Sequence, residues 1–276
     1  MTGLNGTDRK PTEPFLKWAG GKRWFVQRHS DLLPKNFDRY VEPFLGSGAV
    51  FFHLQPGMAL ITDINEELIE TYLAVRDDWR KVYEHLRVHQ AKHCKQHYYR
   101  VRQTNMKSPY ARAARFIYLN RTCWNGLYRV NLDGVFNVPI GTKQNVIMQN
   151  DDFESIAALL RNADVRTSDF KAVVDSTKAG DFLFVDPPYT VKHENNGFVK
   201  YNEKLFRWED QIRLRNCLAD AADRGVKVLL TNASHYSIHE IYSERFDVIP
   251  VSRQSVIAAD RECRRMSEEL IIRSYE

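Results

Sequence analysis

YVEPFLGSGAVFFHLQPGMALITD, residues 40–63, decides the fold class of this chain. Tyr40 and Val41 read as a short strand, and FLGSG, residues 44–48, as a glycine-rich turn. AVFFHL then starts an apolar helix, and ALIT is a second strand that ends on Asp63. The order is strand, glycine turn, helix, strand, acid. Two glycines two apart at a strand-to-helix junction, Gly46 and Gly48, let the backbone approach a ligand closely. Asp63 stands 17 residues beyond Gly46, where a carboxylate at a strand end can accept both hydroxyls of a ribose. The third glycine of a dinucleotide fingerprint is missing, since Ala49, Val50 and Phe51 follow Gly48. The pattern suits adenosylmethionine better than a dinucleotide; a plain turn followed by a helix-capping Asp would read the same way.

The alternation resumes far downstream. DVRTSDF reads as a strand, FLFV in GDFLFVDPPY and VKVLLTN as buried strands, and QIRLRNCLADAADRG as the helix between the last two. FDVIPVS and EELIIRSY are expected as two final strands joined by the basic loop RQSVIAADRECRRMS. Strands alternating with helices imply an α/β domain on a mostly parallel sheet. Its two pieces, residues 1–65 and 165–276, enclose an insert, residues 66–164. The insert opens with a long helical stretch from about Glu66 to Asn120. TCWNGLYRVNLDGVFNVPIG then sets β-formers between Asn-Gly and Asp-Gly, which predicts a β-hairpin over residues 127–139.

Composition narrows the class. The chain has 276 residues, 43% hydrophobic and 27% charged, which is globular, and no apolar run is long enough to span a bilayer. The polar start MTGLNGTDRKPTEP lacks the apolar segment of a signal peptide, so a cytoplasmic location without membrane contact is expected. Cys94, Cys123, Cys217 and Cys263 lie too far apart for a zinc site or a disulfide framework. Charge is uneven. Residues 85–145 hold eleven Lys or Arg and one acid, Asp133, a local +10 inside a chain of net +5. Solvated helix faces usually mix signs, so a polyanion is the partner this block fits.

DPPY, residues 186–189, follows the apolar strand FLFV directly. Two prolines stop the strand and stiffen the loop at its carboxyl end, where open α/β sheets bind ligands. The Asp186 carboxylate and the Pro187 carbonyl are then two acceptors at fixed spacing for the hydrogens of an exocyclic amine, and Tyr189 is a ring on which a base can stack. A conjugated amine is a weak nucleophile. Two acceptors draw its nitrogen toward a pyramidal geometry and stabilise the charge that develops on transfer. Upstream, KWAGGK (residues 17–22) sets an aromatic and two glycines between lysines; Leu16 stands where a P-loop needs its first glycine, so an NTPase is excluded.

KWAGGK, EPFLGSG, TDIN, FIYLNR, WNGLYRVNLDGVFNVPIG and DPPY, in this order and over nearly the whole chain, resemble the Dam family of DNA adenine-N6 methyltransferases. The arrangement is that family's class α order, in which a recognition domain separates the cofactor motif from the catalytic one. The spaced aromatics Phe198, Tyr201 and Phe206 look like the family's as well. The resemblance implies a Rossmann-like class I methyltransferase domain with an inserted helical and β-hairpin DNA-recognition domain. Asp186, Pro187, Pro188 and Tyr189 would be catalytic. The pocket for S-adenosylmethionine would take Trp18, Ala19, Gly20 and Lys22, then Phe44, Gly46 and Gly48, then Asp63 and Ile64, and last Asp169, Phe170 and Asp186.

Double-stranded DNA is the implied partner, its target base flipped out of the duplex. Asn125, Leu127, Arg129 and Pro139 would lie near base edges, with Asn131 and Lys143 as further DNA-binding candidates on the same segment. The fork of Arg129 matches the O6 and N7 acceptors of guanine. Trp124 takes a place where relatives often carry Tyr and would wedge into the base stack. Arg261, Arg264 and Arg265 would contact phosphate, which positions without reading sequence. A companion restriction endonuclease is a further partner to consider. Cytosine-N4 methylation, RNA methylation and a silent, cofactor-bound DNA-binding regulator remain as rival readings.

His85, His89, His93 and His97 repeat every four residues, but each step drifts by about 40° around a helix, so the four do not converge on a metal. Partly exposed histidines on a DNA-facing helix are expected instead, and no metal is called for. Cys217 lies beside Leu214 and Leu218 on an amphipathic helix, as core residues do.

Overall fold

The computed structural model describes residues 12–131, 134–191, 206–254 and 266–276. Seven strands form one sheet: β1 (Tyr40–Glu42), β2 (Ala59–Asp63), β3 (Ala163–Thr167), β4 (Phe182–Val185), β5 (Lys227–Ala233), β6 (Asp247–Gln254) and β7 (Met266–Arg273). Their order is β3-β2-β1-β4-β5-β7-β6. β1 pairs in parallel with β2 and β4, and β4 with β5, while β7 runs antiparallel to both β5 and β6. The two terminal strands expected from FDVIPVS and EELIIRSY are therefore a hairpin whose second arm is the one that joins the sheet.

Because β1, β2 and β4 are parallel, the residues at their carboxyl ends, Glu42, Asp63 and Asp186, face the same edge of the sheet, where α/β folds place their ligands. The first αβ unit stands where the sequence predicts it: β1, the glycine turn, helix α1 (Ala49–Leu54), then β2.

The described chain divides into two compact units. The first holds Gln27–Leu45, Met58–Ile64 and residues from Arg166 onward. Its core is the meeting of strand and helix faces at their own periods. Val41, Leu60, Leu183, Val185, Val228, Leu230, Leu270 and Ile272 come from the strands. Against them pack Val173 and Val174 of α2 (Phe170–Asp175), Leu214, Cys217 and Leu218 of α3 (Trp208–Asp223), and Ile238 and Tyr242 of α4 (Tyr236–Tyr242). Cys217 is thus a core residue.

The second unit holds the described residues up to Val26, then Gly46–Gly57 and Asn65–Val165. Residues 46–57 and the KWAGGK stretch cluster with residues 65–165 in this unit. The long helical stretch is broken into α5 (Glu66–Lys92), α6 (Lys95–Gln103) and α7 (Pro109–Thr122). Asn65 caps α5 by accepting from the Leu68 amide at 3.1 Å, and α5 kinks at Asp78 (φ −155°, ψ 79°). Pro109 restarts the helix at a first-turn position, where its missing N–H costs nothing.

Arg121, at the end of α7, is 2% exposed and ties this unit together. It forks Asp151 at 2.6 and 2.6 Å and donates to the carbonyls of Phe15 (3.1 and 2.8 Å) and Val146 (2.7 Å). A buried guanidinium needs that much compensation.

In the segment predicted as a β-hairpin over residues 127–139, the described arms run antiparallel about Val130 and Phe136. Two isolated antiparallel bridges, Cys123 with Ile140 and Val130 with Phe136, hold the segment. Backbone bonds from Asn131 to Val135 (2.9 Å) and from Asn137 to Arg129 (3.2 Å) reinforce it. Its Asn-Gly pair makes no hairpin turn: Asn125 (φ 56°) and Gly126 (φ 66°) are left-handed in a 3-10 turn that closes α7. Leu132 and Asp133 lie outside the described residues.

Candidate active site

All four residues of β4 are buried, and Pro187 follows as a buried stop. Asp186 leaves the strand half-buried, and its Oδ1 accepts from Thr231 Oγ1 of β5 at 2.8 Å. The Tyr189 hydroxyl donates to Glu269 Oε2 of β7 at 2.7 Å, and Thr190 Oγ1 donates to the Phe206 carbonyl at 2.6 Å. The double-proline loop is therefore fixed at Asp186, Tyr189 and Thr190 as well as by its own φ angles.

The electrostatics at this sheet edge are acidic. Burial pushes the carboxyl of Glu42, 2% exposed, well above the usual range; Asp186 and Asp63 push it the same way, against the hydrogen bond from Tyr40 at 2.9 Å. Burial, Asp186 and Glu269 raise the Tyr189 hydroxyl well above its ordinary value, so it stays a donor. Acceptor oxygens on a rigid loop, with negative charge gathered around them, can hold amine hydrogens and stabilise a developing cation.

The cofactor candidates fall into both units and are described within each. In the sheet-containing unit, the Phe44 ring stacks on Phe170 (centroids 5.5 Å, 26°) and meets Phe206 edge-on. Asp169 accepts from the Lys171 amide at 2.9 Å, capping α2, and Arg213 forks it at 3.1 and 3.0 Å while lying over Phe170 at 4.2 Å. Asp63 closes β2, and Ile64 beside it is 69% exposed, a large apolar side chain with no cover in its own unit.

In the other unit the structure brings Trp18 and Gly46 together. A Cβ on Gly46 (φ 48°) would come within 2.7 Å of Trp18 Cδ1, so both the backbone angle and the indole demand glycine here. The indole stacks on Tyr128 (5.5 Å, 19°), whose hydroxyl donates to Glu67 at 2.8 Å. Asn120 fixes Lys17 through both its amide groups, accepting from the backbone N–H at 2.9 Å and donating to the carbonyl at 2.7 Å. Ala19 and Gly20 are exposed. Lys22 is buried and turned back, with Nζ donating to the Gly20 carbonyl at 2.7 Å.

Of the DNA-binding candidates, Trp124 is 54% exposed, and Asn125, Asn131, Pro139 and Lys143 are exposed too. Leu127 and Arg129 are half-buried, and Arg129 Nε donates to Asn137 Oδ1 at 3.0 Å. Arg261, Arg264 and Arg265, like Phe198 and Tyr201, lie outside the described residues. Two members of the basic block serve the fold: Arg121, and Arg115, which donates to the carbonyls of Val101 (3.0 Å) and Arg102 (2.7 Å).

The histidine expectation is corrected. His89 and His97 are buried, on different helices, with His89 Nδ1 and His97 Nε2 3.1 Å apart and His89 stacked on Tyr118. No group of three metal-ligating side chains occurs among the described residues. Thr231, Glu269, Asn120, Tyr128 and Asp151 were not singled out from sequence. Thr231 ends a visible strand run, while the others gain their roles only from distant partners.

A mostly parallel seven-stranded sheet with an antiparallel β7, an acid closing β2 and a carboxylate on a double-proline loop after β4 together define a Rossmann-like methyltransferase. Residues 18–257 match the family described as D12 class N6 adenine-specific DNA methyltransferase. The chain belongs to that family. It is 36% identical to the Type II methyltransferase M1.LlaDCHI of Lactococcus lactis subsp. cremoris, over 95% of each chain. It is 34% identical to the Type II methyltransferase M.MjaIII of Methanocaldococcus jannaschii, over 95% of this chain and 99% of the relative. It is 31% identical to the DNA adenine methylase of Escherichia coli strain K12, again over 95% of each.

Proposed function

We propose that the chain transfers a methyl group from S-adenosylmethionine to N6 of an adenine flipped out of double-stranded DNA, at one short sequence. The observation that carries the reading is Asp186, held by Thr231 at 2.8 Å at the head of the double-proline loop. Asp186 and the Pro187 carbonyl accept the two amine hydrogens, which leaves the nitrogen lone pair free, and the Asp186 charge stabilises the cation that forms. Tyr189 stacks the base. No covalent enzyme intermediate is needed.

Each unit carries residues whose chemistry suits the donor. Asp63 offers a carboxylate to a ribose beside the exposed apolar face of Ile64, and Phe44 with Phe170 makes an aromatic floor. Trp18 and the Gly46–Gly48 turn supply close backbone, with Ala19 and Gly20 on the exposed side of theirs. Lys22 acts from within by fixing the Gly20 carbonyl. When bound, the donor supplies an electrophilic methyl on a sulfonium.

The recognition segment is 124–143, with Trp124, Asn125, Leu127, Arg129, Asn131, Pro139 and Lys143 meeting DNA and Arg261, Arg264 and Arg265 on phosphate. Two of the relatives are named Type II methyltransferases, which supports a companion restriction endonuclease as a partner. The test is Asp186→Ala: methyl transfer to duplex DNA should fall at least a hundred- to thousandfold, roughly the loss seen when one transition-state partner is removed, with the fold intact. Transfer at the wild-type rate would refute the assignment.

A further inference from the structure

We propose that Glu269 is a positioning residue for methyl transfer, holding and polarising the Tyr189 hydroxyl so that the ring presents a fixed, electron-rich face to the target base. This rests on the reading of Asp186–Tyr189 as the place of the chemistry.

Glu269 sits on β7 opposite Ala233 of β5 on one side and Val251 of β6 on the other, and it is 4% exposed. Its neighbours along the strand, Leu270, Ile271 and Ile272, are buried core residues. A carboxylate there costs stability that packing does not return, so it calls for a dedicated partner. That partner is Tyr189, with O···O of 2.7 Å.

Two successive prolines fix the backbone before Tyr189 but leave its side-chain torsions free. Anchoring the hydroxyl removes that freedom. The pinning is paired: Thr231 on β5, next to β4, holds Asp186, and Glu269 on β7, one strand further out, holds Tyr189. There is a chemical consequence as well. A phenol donating to a carboxylate makes a charge-assisted bond and carries more electron density in its ring. A base stacked on that ring gains positive charge as its amine is methylated, and an electron-rich face attracts a cation.

The test is a mutant cycle in single-turnover methyl transfer to duplex DNA, using Glu269→Ala, Glu269→Gln, Tyr189→Phe, both double variants and Asp186→Ala. Glu269→Ala should slow the transfer step about tenfold while KM for DNA and for the methyl donor stays within about twofold. Glu269→Gln should recover only part of the rate, because an amide oxygen still accepts from the hydroxyl but lacks the charge that enriches the ring. In the Tyr189→Phe background neither change at Glu269 should slow transfer further. Equal slowing with and without the hydroxyl, or an effect on KM alone, would overturn the inference. Should Glu269→Ala fail to fold, the Glu269→Gln and Tyr189→Phe pair carries the same cycle, and additivity there overturns it too. Wild-type transfer by Asp186→Ala would sink the site reading itself, whereas an inactive Asp186→Ala beside an unaffected Glu269→Ala would sink only this inference.

Discussion

The loop that begins at Asp186 after β4 and the segment between Cys123 and Gly141 are built in opposite ways. The loop's described residues, 186–191, set two prolines after Asp186 and have side chains tied to Thr231, Glu269 and the Phe206 carbonyl. The segment is held through its backbone, by two isolated bridges and the Trp124 amide donating to the Pro139 carbonyl at 2.9 Å, and Trp124 and Val135 stand exposed. Fixed side chains suit chemistry, where acceptor positions decide the rate. A tethered backbone that presents exposed side chains such as Trp124 and Val135 suits recognition, where the partner completes the contacts.

The sharpest way to break this contrast is to cut the root of the exposed segment. Asp151→Ala leaves the Arg121 guanidinium buried without its counter-charge, and should destabilise the insert by about 3–5 kcal/mol. Denaturant unfolding measures it, and an unchanged midpoint would show that the carbonyls of Phe15 and Val146 suffice. Next in size, Arg129→Ala should weaken discrimination at one guanine by ~1–3 kcal/mol without lowering the melting temperature. A variant that melts early while keeping its site preference would make Arg129 a structural residue, through its bond to Asn137.

The smallest effect is a pH dependence in the insert. Arg100 donates to His97 Nδ1 at 2.8 Å, so His97 must be neutral and donates from Nε2 to His89 Nδ1. Burial and His97 lower His89 to about 4, and burial and Arg100 lower His97. Both folded values lie below the unfolded value of ~6.5, so this stability is complete above that pH and is lost as pH falls toward 4. Melting temperatures from pH 7 to 4.5 should fall more steeply for the intact protein than for His89→Phe; parallel slopes would remove the pair from the account.

What was legible in the sequence follows the same contrast. The strand, glycine turn, helix and strand over residues 40–63 and the strand before Asp186 rest on local periodicity and on glycine and proline, and they stand where expected. Asn125-Gly126 reads as a hairpin signal in the sequence, but it serves the end of α7, where a left-handed pair stops a helix as readily as it turns a strand. The histidines look like a surface face only on an unbroken helix; the break at His93 and Cys94 sends His89 and His97 to different helices and inward. Lys22, Arg121 and Glu269 look like surface charges in any local window. Each is buried, and Arg121 and Glu269 are held there by residues 25 or more positions away.

The central claim, adenine-N6 methylation by the Asp186 loop, is tested most directly by single-molecule sequencing of genomic DNA. The host should lack adenine methylation and express either the intact protein or Asp186→Ala. N6-methyladenine is expected at one short motif with the intact protein and none with the variant. Methylated cytosine, or the same adenine pattern with Asp186→Ala, would contradict it.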